Sequence, residues 1–121
     1  MFRSKNETPL PLKWSALEVL EKGTFSEKSD VWAFGVLVWE IFTRGAVPYG
    51  ALRDWQGLKA YLLNGDRLEM PADCTPELFE LLMECWHDET EKRPTFVYLV
   101  DQFDKFVKGL REVLSSFLYF L

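Results

Sequence analysis

Residue types that can do chemistry are sparse in this sequence, and that sparseness already narrows what it can do. There is one histidine, His87, and there are two cysteines, Cys74 and Cys85. One imidazole cannot build a multi-histidine metal centre. Two cysteines eleven positions apart make neither a CxxC zinc site nor a disulfide framework. Fourteen basic against nineteen acidic residues leave a net charge of −5, which argues against tracking a phosphate backbone. No Gly-x-Gly-x-x-Gly loop occurs to cradle phosphates, and no Asp-Phe-Gly or His-Arg-Asp triplet to hold magnesium or orient a hydroxyl. What stands out instead is a set of aromatic and proline words: Leu10-Pro11-Leu12-Lys13-Trp14, Val31-Trp32-Ala33-Phe34-Gly35, Trp39-Glu40, Pro48-Tyr49, Cys85-Trp86 and Arg93-Pro94.

The elements that must position these words read as helices. Pro9 and Pro11 push their preceding residues out of the helical region, so residues 1–13 read as extended or loop. A short helix is expected from Ser15 to about Lys22, with Ser15 as N-cap, Glu18 as its capping-box partner and Gly23 as terminator. The next should run from about Glu27 to Thr43, capped by Ser26 or Ser29. Its stretch Val31 to Trp39 is apolar on every side, which places it inside a domain and not on its surface. A strand competes for such a run, but the length and the caps favour helix. Further helices follow from about Asp54 to Leu63 and from Thr75-Pro76-Glu77 to Trp86. Arg93-Pro94-Thr95 opens the last one. There Phe96, Leu99, Val100, Phe103, Val107, Leu110, Val113, Leu114, Phe117, Leu118 and Leu121 recur at steps of three and four. Asp101, Asp104, Lys105, Lys108, Arg111 and Glu112 fall opposite, so one amphipathic helix should reach near Tyr119, with a kink at Gly109 as an option. Its distal part has three readings: a flap over the central helix, a contact with a partner or a second copy, or a frayed tail. With 48% apolar residues in 121, the chain reads as an all-α domain or part of one. The first dozen residues hold no apolar targeting core, and the longest apolar run is far short of a membrane span.

Taken in order and at these separations, the words resemble the C-terminal half of a protein tyrosine kinase domain over about residues 9–107. Ala16-Leu17-Glu18, Thr43-Arg44-Gly45-Ala46 and Tyr61-Leu62-Leu63 look most like receptor kinases of the Met, Axl and Ryk type. The resemblance implies the helical C-lobe portion of the protein kinase fold, without the ATP-binding β lobe. It divides the chain into the end of the activation segment with the substrate loop (1–14), a helical C-lobe segment (15–107) and an amphipathic extension (108–121). It implies that Leu10, Pro11, Leu12, Lys13 and Trp14 receive the substrate, Pro11 as a flat platform for the phenol ring and Leu10 and Leu12 around the following residue. It implies that Glu18, matching the acid of an Ala-Pro-Glu motif, pairs with Arg93. Asp30 would accept backbone N–H bonds from a catalytic loop. Trp32, Gly35 and Trp86 would be structural.

In the family, phosphate transfer uses Mg-ATP, a Gly-rich loop, a strand lysine and the two triplets absent here, all expected upstream of Met1. The chain alone is therefore expected to be inactive, with no catalytic residue, cofactor or metal of its own. Its expected partners are tyrosine-bearing protein substrates of the parent, and the remaining kinase segments or another protein on its exposed apolar surface. Neither nucleic acid nor a membrane span is expected. The expected location is cytoplasmic, as the intracellular part of a single-pass receptor. The competing reading is a non-catalytic interaction module derived from a kinase lobe. Leu17 stands where most members have Pro, a change shared by that receptor subgroup.

Overall fold

Local sequence signals account for most of the helix ends in the computed structural model, which describes residues 12–50, 52 and 54–119. Leu12–Trp14 forms a single 3-10 turn. Helix α1 (Leu17–Lys22) turns Leu17, Val19 and Leu20 inward and stops at Gly23, whose φ of 66° is left-handed and suits a residue without Cβ. The expected Ser15 cap is not used: Ala16 occupies the N-cap position and provides no side-chain hydrogen bond. Ala16 is fully buried, its carbonyl takes the N–H groups of Val19 and Leu20, and the Ser15 N–H closes the preceding 3-10 turn onto Leu12. The Glu18 carboxylate, which a capping box would need, is engaged elsewhere.

Helix α2 (Glu27–Phe42) is the axis of the molecule. Ser26 and Ser29 share its start as a reciprocal box. The Ser26 hydroxyl accepts from the N–H groups of Lys28 and Ser29, and the Ser26 N–H donates to Ser29 Oγ at 2.8 Å. Val31, Trp32, Gly35, Val36, Val38 and Trp39 are buried. Leu37 and Ile41 are not, at 49% and 65% exposed, so the helix is central but uncovered along one line.

Helix α3 (Trp55–Leu63) starts at Asp54, whose Oδ1 accepts the Gly57 N–H at 2.7 Å. It packs beside α1. Helix α4 (Pro76–Cys85) has Thr75 as cap and Pro76 in its first turn, and buries Leu78, Leu81, Leu82 and Cys85 against α2. The α2–α4 approach is close at Gly35, where an added Cβ would lie 2.7 Å from Trp86 Nε1 and 3.0 Å from Cys85 Cβ. A 3-10 turn (Thr90–Lys92) leads to α5 (Phe96–Tyr119), which runs unbroken through Gly109 with no reversal. Over its 24 residues that is about 36 Å.

Phe96 and Phe103 present their rings edge-on to Phe34 of α2, at 5.9 and 5.7 Å, and Leu99 is buried beside them. Val100 and Val107, expected on the same buried stripe, are 68% and 44% exposed. The stripe is wider than the single contact line that α2 offers it. Among the described residues every regular element is helical, and none is long and apolar enough to cross a membrane.

Candidate functional site

The described part of the loop at residues 10–14 is anchored to the protein at both of its polar side chains. Lys13 Nζ donates to the Gly50 carbonyl at 3.1 Å, tying the turn to the loop after α2. Trp14 Nε1 donates to Glu40 Oε1 at 2.6 Å, a short bond because the acceptor is charged. Leu12 and Trp14 also pack against the core. Lys13 and Trp14 therefore face the scaffold, while Leu10 and Pro11 lie outside the described residues.

Behind this turn, Glu18 and Arg93 meet as a two-point pair: Nη2 to Oε1 at 2.7 Å and Nη1 to Oε2 at 2.8 Å. The Arg93 side chain is fully buried and that of Glu18 is 17% exposed. The planar fork of a guanidinium suits this geometry, and a buried charge without such a partner is costly. Arg93 Nε also donates to the His87 carbonyl at 2.7 Å, and Nη1 to the Lys28 carbonyl at 3.1 Å. Lys28 answers in kind, Nζ donating to the Arg93 carbonyl at 2.6 Å. One side chain thus joins α1, the start of α2 and the segment before α5.

Trp32 forms the floor of this assembly. The Arg93 guanidinium lies 4.9 Å from its ring centroid and that of Arg67 lies 5.1 Å away, both within cation–π range. Arg67 was not singled out by sequence. It donates to the carbonyls of Trp86, Leu62 and Asp66, and burial lowers its pKa. Its only local signal is a cation followed by buried Leu68, which is too common to mark a site. Glu40 was visible in the Trp39-Glu40 word, but its partner lies 26 positions away.

The other expected positions separate. Asp30 is exposed in the first turn of α2. It lines a cleft of about 180 Å³ with Trp14, Ser15, Ala16, Val19 and Phe25. Trp86 is buried on α2 at Gly35, and among the described residues neither its indole N–H nor that of Trp32 has a hydrogen-bond partner. His87 contributes its carbonyl to Arg93, while its Nδ1 accepts the Glu89 N–H. His87, Asp88 and Glu89 bring one possible ligand atom each within 4.8 Å of one another on a largely exposed loop. The arrangement as a whole fixes the turn at residues 12–14 to the helical scaffold. Its 121 residues supply none of the motifs that position a γ-phosphate.

Comparison with known proteins gives the family of the chain. A sequence model of the protein tyrosine and serine/threonine kinase family matches residues 1–103. Fibroblast growth factor receptor homolog 1 of Drosophila melanogaster is 37% identical over 114 residues, covering 94% of this chain. Fibroblast growth factor receptor homolog 2 of the same organism is 42% identical over 115 residues, covering 95%. The chain spans only 16% and 11% of the length of these two relatives. With its helical architecture and the Glu18–Arg93 pair in place, the chain belongs to the protein tyrosine and serine/threonine kinase family, and it carries the helical C-lobe part of that domain.

Proposed function

We propose that this chain supplies the substrate-seating loop and helical base of a receptor tyrosine kinase, whose complete domain transfers the γ-phosphate of Mg-ATP to protein tyrosine. The observation that carries the reading is the anchoring of residues 12–14 to α2 and to Gly50. Pro11 offers a flat face to the phenol ring of the substrate tyrosine, Leu10 and Leu12 border the pocket for the residue after it, and Lys13 and Trp14 hold the loop. Residues 1–14 act as the substrate segment, 15–107 as the scaffold and 108–121 as an added helix. Asp30, at the edge of its cleft, receives the catalytic loop of the complete domain. Ala16-Leu17-Glu18 and Thr43-Arg44-Gly45-Ala46 support a place near the Met, Axl and Ryk type, and a receptor of that kind puts this part on the cytoplasmic face of a membrane.

The test compares the purified 121-residue chain with a chimera. The chimera joins the upstream kinase segments of the fruit-fly fibroblast growth factor receptor homolog 2 to this chain. The expected result is no magnesium-dependent transfer to a tyrosine peptide by the chain alone and transfer by the chimera. In the chimera, Pro11→Gly should raise the peptide KM and leave the ATP KM unchanged. A folded, ATP-binding chimera that leaves tyrosine unmodified overturns the proposal, as does transfer by the chain alone.

A further inference from the structure

Three aromatic rings converge where the loop after α2 passes the side of α3. Trp39, Tyr49 and Tyr61 line one open cavity of about 350 Å³, with Leu68 and Glu69 beside them. That volume lies at the small end of the range for ligand pockets. The rings are held in place by the protein. Trp39 Nε1 donates to the Glu69 carbonyl at 2.7 Å, and the Tyr61 hydroxyl donates to the Arg67 carbonyl at 3.2 Å. Tyr49 and Tyr61 stand nearly perpendicular, 75° apart with centroids 5.8 Å from each other. Tyr49 adopts a φ of 58°, a left-handed backbone uncommon for a bulky side chain, and its ring still faces this cavity.

Glu69 is the charged residue of the lining, and it is exposed. Among the described residues its carboxylate has no ion pair. Burial raises the pKa of Tyr61 and the charges of Asp66 and Glu69 add to it, while at Tyr49 the charge of Arg67 opposes the rise caused by burial. Cations also lie near the rim. Arg67 is engaged with three carbonyls and the Trp32 ring, and its charge reaches Tyr49. Lys13 Nζ donates to the carbonyl of the lining residue Gly50. The opening beside Tyr61 and Glu69 is the acidic end of the cavity.

Aromatic faces carry negative potential and attract cations. Beside Glu69 an anion would meet a carboxylate, and a neutral apolar group would gain nothing from it. A guanidinium is flat and weakly hydrated, so it can stack on one ring while its edge donates to a carboxylate. We infer that the Trp39–Tyr49–Tyr61 cavity is a docking site for an arginine side chain presented by another protein. This goes beyond the phosphate-transfer reading and does not depend on it.

The test titrates acetyl-Gly-Arg-Gly-amide into the isotope-labelled 121-residue chain and follows the Trp39 indole N–H resonance. Peptides with citrulline, norleucine or trimethyllysine in place of arginine run in parallel. The arginine peptide should give a saturable shift. Citrulline, with the same shape and no charge, should weaken binding, and Glu69→Gln should do so by about two- to fivefold. Glu69 is exposed, so that variant should melt as the wild type does; Tyr61→Leu serves as the second variant and should also weaken binding. Equal binding of norleucine or citrulline overturns the inference, and so does tighter binding of trimethyllysine. Binding only to an Arg53→Ala variant would mean that the chain's own arginine fills the cavity, which also overturns it. Absence of any saturable shift has the same consequence.

Discussion

Removing the Glu18 carboxylate would leave the Arg93 guanidinium buried without its counter-charge. The expected cost of Glu18→Ala is about 3–5 kcal/mol, far above that of an exposed ion pair, because burial and not mere proximity decides the value. Urea denaturation should show the midpoint falling accordingly, whereas Arg44→Ala, which breaks the exposed Arg44–Asp73 pair, should barely move it. A second residue-scale effect concerns alkali. Burial pushes the Cys85 thiol up to about 12, with the Glu84 charge adding and Arg93 opposing. The folded state then holds this proton more tightly than the unfolded chain does. Its contribution to stability is complete below about pH 9 and is lost as pH rises toward 12. Melting temperature should therefore fall across that window, and Cys85→Ala, though destabilised at every pH, should fall less steeply. The Glu18–Arg93 contact was foreseeable only through the family resemblance, because 75 residues separate the partners. Local reading proposed a capping box for Glu18, which was chemically sound and lost to a stronger partner.

Element boundaries follow local chemistry wherever the cap has no competing tertiary role. Ser26, Asp54 and Thr75 each accept the N–H groups that their side chains suggest. Ser15 is not the N-cap of α1, because the chain closes a 3-10 turn onto Leu12 at Ser15 and the helix starts one residue later, at buried Ala16. Between elements, Gly35 sets the distance from α2 to α4. Alanine is favoured over glycine by about 1 kcal/mol within a helix. Here its methyl would press on the Trp86 indole and on Cys85, and overpacking costs about 1–3 kcal/mol. Gly35→Ala should thus be destabilising despite the better propensity. Gly109→Ala, which meets nothing within 4 Å on the same class of element, should be stabilising. Thermal melts of the two variants side by side would check the sign. Helix propensity treats both glycines alike; the packing gives the two substitutions opposite signs.

For the molecule as a whole, the helical architecture was legible because each segment is long, capped and periodic. The fit of α5 to the body was not. An amphipathic stripe shows which residues are apolar, but how much of the stripe finds a neighbour depends on the width of the facing surface. Phe34 accommodates Phe96 and Phe103, and Val97 and Val100 are left 81% and 68% exposed. Leu37 and Ile41 add further exposed apolar side chains to the outside. The 121-residue chain should bind an environment-sensitive apolar dye under native conditions, and Leu37→Gln with Ile41→Gln should reduce the fluorescence without lowering the melting temperature. A wild-type chain that leaves the dye dark would show that this surface is covered.

The reciprocal bonds between Lys28 and Arg93 have a kinetic meaning as well. Each residue donates its side chain to the other's carbonyl across 65 positions, and Glu18 closes a still longer loop. A loop of 75 residues carries a closure entropy of about 4 kcal/mol on top of a constant. Contacts of that span add little to a collapsing chain until the helices between them have docked. The α2–α4 packing at Gly35 should come first in folding, with the charged knot drawn tight after the rate-limiting step. An interaction formed that late governs how fast the native chain comes apart more than how fast it is made, so the Glu18–Arg93–Lys28 knot is a latch that acts chiefly on the lifetime of the fold.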